Sequence, residues 1–132
     1  MAVLIDTSIL VDAERHGEPL ERAVGDEERA ISVVTASELL HGVHRAGDEA
    51  IRVRRQVFVE HVLAGLDPIP ITTTVARSHA RLWAHLEQAG QLIGAHDLWI
   101  AATALAHGMS LATGNTRHFA RVPGLSLVTV RA

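Results

Sequence analysis

Val3-Leu4-Ile5 is an unbroken apolar run that meets an acid at Asp6, and Ile31 to Val34 is a second, running into Thr35-Ala36-Ser37-Glu38. Short apolar runs of this kind, entering polar residues, read as buried strands feeding helices. Between them Ile9 to Arg15 reads as a short helix that leaves the core at His16-Gly17-Glu18-Pro19, followed by a second helical stretch over Glu18 to Val24. From Gly47 to Leu66, the residues Ile51, Val57, Phe58, Val62 and Leu63 recur at helical spacing among Arg52, Arg54, Arg55 and Glu60, which predicts an amphipathic helix. Pro68-Ile69-Pro70-Ile71 is confined to a short strand or extended edge, because each proline removes a ladder donor. Thr72 to Ala89 carries Val75, His79, Leu82, Trp83 and Leu86 three or four apart and closes at Gly90, so it predicts a helix with those residues on its core side. Asp97 to His107 is apolar nearly all round and stops at Gly108, a core helix feeding a strand at Leu111 to Thr113. The last strand is expected over Leu125 to Val130. Strands alternating with helices imply an α/β fold with a parallel sheet covered on both faces.

Composition narrows the chemistry. At 132 residues the chain is the size of one domain, and its 48% apolar and 20% charged residues suit a globular protein rather than a disordered one. With no cysteine, disulfides, thiolate metal sites and cysteine nucleophiles are excluded, which leaves oxygen and imidazole groups. The formal charge is −3, and the basic residues, all arginine, give no broad basic face of the kind many nucleic-acid binders carry. The N-terminal run lacks a basic lead-in and a small-residue cleavage site, and no apolar run approaches the roughly 20 residues of a membrane span, so a cytoplasmic protein with no membrane partner is expected.

Ligand sites in open parallel sheets lie beyond the carboxyl ends of the strands, where strand order reverses. Asp6 ends the first predicted strand, Glu38 lies four residues past the second, and Asp97 opens the helix before the third. Three carboxylates converging there would suit a hard cation such as Mg²⁺ or Mn²⁺, which keeps several waters and binds substrate phosphate. Metal-dependent phosphodiester cleavage is the matching chemistry. Each acid also has a structural alternative. Thr35-Ala36-Ser37-Glu38 fits a capping box, Asp97 complements a helix dipole, and Asp6 fits an Asx-turn.

The segments around these acids resemble PIN-domain proteins, specifically the VapC toxins of type II toxin–antitoxin modules. The matching stretches are Ile5-Asp6-Thr7-Ser8-Ile9-Leu10, Ile31 through Val43, Ile93-Gly94-Ala95-His96-Asp97-Leu98-Trp99-Ile100-Ala101-Ala102, and Thr113-Gly114-Asn115-Thr116-Arg117-His118-Phe119 with Val122-Pro123-Gly124-Leu125. They stand in family order across the whole chain. The resemblance implies a single PIN domain over residues 1–132, a three-layer α/β/α fold around a mostly parallel sheet of four to five strands. It implies a Mg²⁺-dependent endoribonuclease, Mn²⁺ substituting, in which Asp6, Glu38 and Asp97 match the family's acids, hold metal and leave a 5′-phosphate and a 3′-hydroxyl. It further implies a VapB-like antitoxin whose tail covers the active-site groove, contact with operator DNA only through that antitoxin, and a homodimer. The helices at 47–66 and 72–89 fall where family members make such contacts, and they carry more apolar face than one small sheet covers; completing the core is the alternative.

His118 departs from the family pattern, standing where a fourth Asp or Glu is common. A neutral imidazole suits softer ions, so one firmly held metal is expected, any second ion relying on substrate phosphate, water or the Asn115 carbonyl. Alternatively His118 touches RNA, or is an ordinary surface histidine. Thr7 and Thr113 are candidates to orient ligands or waters through their hydroxyls, and Arg15, Arg117 and Arg121 to contact RNA phosphate. The remaining histidines, His41 and His44 among them, show no zinc-site spacing, and Trp83 and Trp99 read as core rather than as base-stacking platforms. Haloacid-dehalogenase-like phosphatases need a second Asp where Ser8 stands, and no glycine-rich phosphate loop is present. The competing reading is a degenerate PIN domain that binds RNA or antitoxin without cutting.

Overall fold

A computed structural model of the chain describes residues 2–19, 22 and 27–128. Four strands, β1 (Val3–Ile5), β2 (Arg29–Ala30), β3 (Ser110–Ala112) and β4 (Leu127–Val128), form one sheet in the order β2-β1-β3-β4, with every neighbouring pair parallel. Six helices are defined among the described residues: α1 (Thr7–His16), α2 (Val33–His44), α3 (Glu49–Gly65), α4 (Thr73–Gln88), α5 (Ala95–Ala106) and α6 (Thr116–Phe119). Strand alternation divides the core in two. Val3, Ile5 and Ala112 face one cluster, which takes in Ile9 and Leu10 of α1, Leu39 and Val43 of α2 and Val59 and Val62 of α3. Leu4 and Leu111 face the other, with Leu82 and Leu86 of α4, Leu98, Ile100, Ala101 and Ala104 of α5, and Phe119 of α6. This is the three-layer α/β/α arrangement.

Local chemistry sets the element boundaries. The predicted strand over Ile31 to Val34 is corrected: pairing ends at Ala30, Ser32 makes only an isolated bridge to Ile69, and the helix starts at Val33. Ser32 is the reason. Its hydroxyl accepts the Thr35 N–H at 3.0 Å, capping α2 and drawing two β-branched valines into the first helical turn. The capping box at Thr35 and Glu38 falls with it, since Glu38 sits one and a half turns inside the helix. Pro68 to Ile71 pairs only through Ile69, Asp48 and Thr72 cap α3 and α4, and α5 begins at Ala95, two residues before Asp97. Helix α1 starts at Thr7 rather than Ile9 and ends at Gly17, whose φ of 62° suits a residue without a Cβ. The third strand lies one residue earlier than expected; most of the helical stretch over Glu18 to Val24, and the end of the last strand, fall outside the described residues.

Trp83 is also corrected. It is 49% exposed, tilted against the His79 ring at 5.8 Å, while His79 is nearly buried and stacks on Trp99 with ring centroids 3.4 Å apart and planes 10° from parallel. Burial holds the His79 pKa below its ordinary value. The folded state therefore keeps the ring neutral, whereas the unfolded chain binds a proton as pH falls below about 6.5, so stability present above that pH is lost on acidification. Calorimetry between pH 7 and 5 is expected to show a falling melting temperature, with a shallower slope in His79→Phe, which keeps a ring against Trp99. An unchanged slope would assign the acid sensitivity to other groups.

Candidate active site

The order of strands reverses between β1 and β3, and the site forms beyond their carboxyl ends. Asp6 follows β1 directly, its backbone N–H bonded to the Ala112 carbonyl at 2.9 Å. It takes the N-cap position of α1, but its side chain makes no cap bond and no Asx-turn. Instead Asp6 Oδ2 accepts the Thr113 hydroxyl at 2.7 Å and the Ser8 hydroxyl at 2.7 Å. Both hydroxyls are anchored in turn: Ser8 Oγ accepts the Gly114 N–H at 3.0 Å and Thr113 Oγ1 the Asn115 N–H at 2.9 Å. With Oδ2 accepting two hydroxyls, Oδ1 is the oxygen left to a ligand. Asp6 is only 4% exposed, so its carboxylate depends on these bonds.

Asp97 comes from the first turn of α5 and Glu38 from the middle of α2. Together with Asp6, Thr7, Ser8, Asp12, Arg15 and Asn115 they line an open cleft of about 390 Å³. Asp97 has its pKa raised, first by partial burial and then by the neighbouring carboxylates of Asp6 and Glu38, against smaller opposing effects of His118 and His96. That mutual repulsion is the electrostatic signature of acids sharing one space, and a cation relieves it.

The cleft is not a closed ligand cage. Among the described residues no three His, Cys, Asp or Glu side chains stand together as an ion-holding set. Glu38 shows why. Its Oε1 accepts the Thr7 hydroxyl at 2.6 Å and its Oε2 faces His96 Nδ1 at 3.3 Å. His118, on α6, has its Nδ1 3.8 Å from Asp97 Oδ2, and the Asn115 amide nitrogen donates to that same Nδ1 at 2.9 Å. Asp6, Glu38 and Asp97 thus line one cleft, and their carboxylates are oxygen donors of the type that hard cations such as Mg²⁺ or Mn²⁺ take.

Of the arginines, Arg15 lines the cleft, whereas Arg117 and Arg121 do not; Arg121 instead donates to the Leu92 carbonyl at 2.9 Å. Ser8 and His96 were not singled out by sequence reasoning. Ser8 stands two residues after Asp6 at a helix start, a spacing that permits a serine to bond the preceding carboxylate, and His96 precedes Asp97.

Beside the cleft runs a larger groove of about 660 Å³, with Val11, Leu39, Phe58 and Val59 in its wall and Arg15, Arg45 and Arg55 around it. Glu38 and Thr7 line both cavities.

A family model described as "PIN domain" matches residues 3–125. The chain belongs to the PIN-domain family. Within it the chain is similar to VapC proteins. A ribonuclease VapC1 of Rickettsia felis is 35% identical over 130 residues, spanning 98% of this chain and 97% of the relative. A ribonuclease VapC5 of Mycobacterium tuberculosis is 34% identical over 129 residues, spanning 98% and 93%. Among solved structures, this PIN domain superposes on the Rickettsia felis VapBC2 complex bound to promoter DNA with a TM-score of 0.85 and 28% identity, covering 97% of this chain and 98% of that one. On Mycobacterium tuberculosis VapBC-5 the TM-score is 0.78 with 30% identity, covering 99% and 98%. No helix among the described residues is long and apolar enough to cross a membrane.

Proposed function

We propose that this PIN domain is the ribonuclease toxin of a toxin–antitoxin pair, hydrolysing RNA phosphodiester bonds in the cleft lined by Asp6, Glu38 and Asp97. What carries the reading is that three acids from three separate elements line one cleft, in a chain whose relatives over nearly its full length are VapC ribonucleases. Asp6, Asp97 and a rotated Glu38 hold a divalent ion, Mg²⁺ or Mn²⁺ in its place. When bound there, such an ion would supply positive charge to make water a better nucleophile at neutral pH and to polarise the scissile phosphate. Ser8 and Thr113 fix the Asp6 carboxylate before substrate arrives, and Arg15, at the cleft wall, takes an RNA phosphate. Hydrolysis leaves a 5′-phosphate and a 3′-hydroxyl. His118 in place of a fourth acid keeps the site to one firmly held ion.

The partner is a VapB-like antitoxin, in keeping with the VapBC complexes among the structural neighbours. Its tail lies in the groove beside the cleft, where an apolar wall flanked by three arginines suits an amphipathic segment. Operator DNA is reached only through the antitoxin. The half-exposed Trp83 on α4 and the exposed Val57 on α3 leave apolar surface for a homodimer, and the protein works in the cytoplasm.

Incubating the purified protein with a mixed RNA pool tests this directly. Cleavage in Mg²⁺, its loss in EDTA and its return in Mn²⁺ are expected. Metal-independent binding without cleavage would favour a degenerate PIN domain. His118→Asp, which adds a fourth carboxylate beside Asp97, is expected to lower the Mg²⁺ concentration for half-maximal cleavage by roughly tenfold. An unmoved titration curve would remove His118 from the ion's surroundings.

A further inference from the structure

We infer that His96 is a positioning residue that parks the Glu38 carboxylate on the groove side of the ridge between the two cavities, so that the ion cleft gains its third carboxylate only when the His96 contact opens. This rests on the reading of the cleft as an ion site.

Three observations carry it. Glu38 lines both cavities, as do Thr7, Val11 and Arg15, and the Thr7 hydroxyl donates to its Oε1. His96 lines the groove and not the cleft, whereas Asp97, the next residue of α5, lines the cleft and not the groove. The His96 Nδ1–H donated to Oε2 therefore ties that oxygen to a residue of the groove side. This accounts for three acids that share a cleft without forming an ion-holding set. Being well exposed, with 64% of its side chain open to solvent, His96 is replaceable without disturbing the core. A groove occupant that takes the His96 ring for itself would release Glu38 in the same way, which couples the two cavities through the Glu38 carboxylate that both share.

The sign of the effect is unusual for a residue beside an active site: removing His96 tightens ion binding. Deleting the imidazole frees Glu38 to turn and also removes a group that competes with a cation for the carboxylate. Breaking a partly exposed contact of this kind corresponds to roughly a two- to fivefold change in affinity. Mn²⁺ binding to the whole chain, followed by electron paramagnetic resonance of the free ion, reads it out. His96→Ala is expected to lower the Kd for Mn²⁺ by that factor. His96→Asn, whose amide nitrogen sits where Nδ1 does, should return the wild-type value. In a Glu38→Gln background His96→Ala should change nothing. Equal or weaker binding by His96→Ala, or tightening that persists without the Glu38 charge, overturns the inference while leaving the cleft an ion site. A wild-type chain that takes up no Mn²⁺ overturns both.

Discussion

Replacing Asp97 by asparagine is expected to abolish RNA cleavage and, in the same molecule, to raise the melting temperature of the metal-free protein. The two effects have one cause. Asp97 is partly buried and shares its cleft with the Asp6 and Glu38 carboxylates, which raises its pKa. For an acid with a raised folded pKa, the folded state binds the proton more tightly than the unfolded chain does. Stability is then greatest at low pH and is lost as pH rises through the folded value, so at neutral pH the ionised carboxylate works against folding. Asparagine keeps the shape and discards the charge. The gain should be roughly 2–6 °C in a domain of this size, the usual return for relieving a functional site of its strain. With Asp97 an ion ligand, as proposed, cleavage should fall on the order of a thousandfold or more, because its loss forfeits several kcal/mol of charge stabilisation in the transition state.

Calorimetry with and without Mg²⁺ separates the contributions. Added Mg²⁺ should stabilise the wild type by mass action and leave Asp97→Asn nearly unmoved, closing the gap between them. A variant that cleaves RNA at the native rate, or that melts below the wild type in EDTA, would remove Asp97 from the ion site. Asp6→Asn is expected to be equally inactive but not stabilised, because Asp6 Oδ2 accepts two hydroxyl hydrogen bonds that the carboxylate charge strengthens and that a neutral amide oxygen accepts more weakly.

How far the sequence could be read depended on what each residue type is made to do. The unbroken run Val3-Leu4-Ile5 could only be a strand buried on both faces, and it placed Asp6 at the sheet's working end without further information. Asp97 was legible for a related reason, lying at the start of a helix apolar on nearly every side. Val33 and Val34 misled because β-branching favours strands, while the competing signal, one serine capping the helix behind them, outweighs that preference only once Ile31 and Ile69 have fixed the chain's exit from the sheet. Trp83 misled differently. Its spacing matched the core stripe of α4, but its ring lies at the edge of that stripe, where the nearly buried His79 stacks on Trp99 and leaves Trp83 at the surface. The partners of Glu38 were out of reach altogether, since Thr7 is 31 positions away and His96 58, and no local pattern encodes a meeting of three helices.

Phe119→Ala should be the most damaging single substitution outside the cleft. The residue is fully buried and ends α6, a helix of four residues that is far too short to be stable on its own hydrogen bonds. What holds that turn in place is its ring, packed in the cluster of Leu98, Ile100, Ala101 and Leu111 under the sheet. Truncating a buried phenylalanine leaves a cavity and typically costs about 3–5 kcal/mol, a large part of the roughly 5–15 kcal/mol that a domain possesses. The consequence reaches the site because the same turn presents His118 toward Asp97 and begins at Asn115, whose amide nitrogen holds the His118 ring and whose backbone N–H anchors Thr113 against Asp6. Loss of the ring should therefore lower the midpoint of urea unfolding and weaken Mn²⁺ binding together, whereas Phe119→Leu, which refills most of the space, should preserve binding with a smaller loss of stability. If Phe119→Ala were to unfold at a nearly native midpoint, or to bind Mn²⁺ normally while strongly destabilised, the coupling between this core contact and the placement of the Asp6 carboxylate would be disproved.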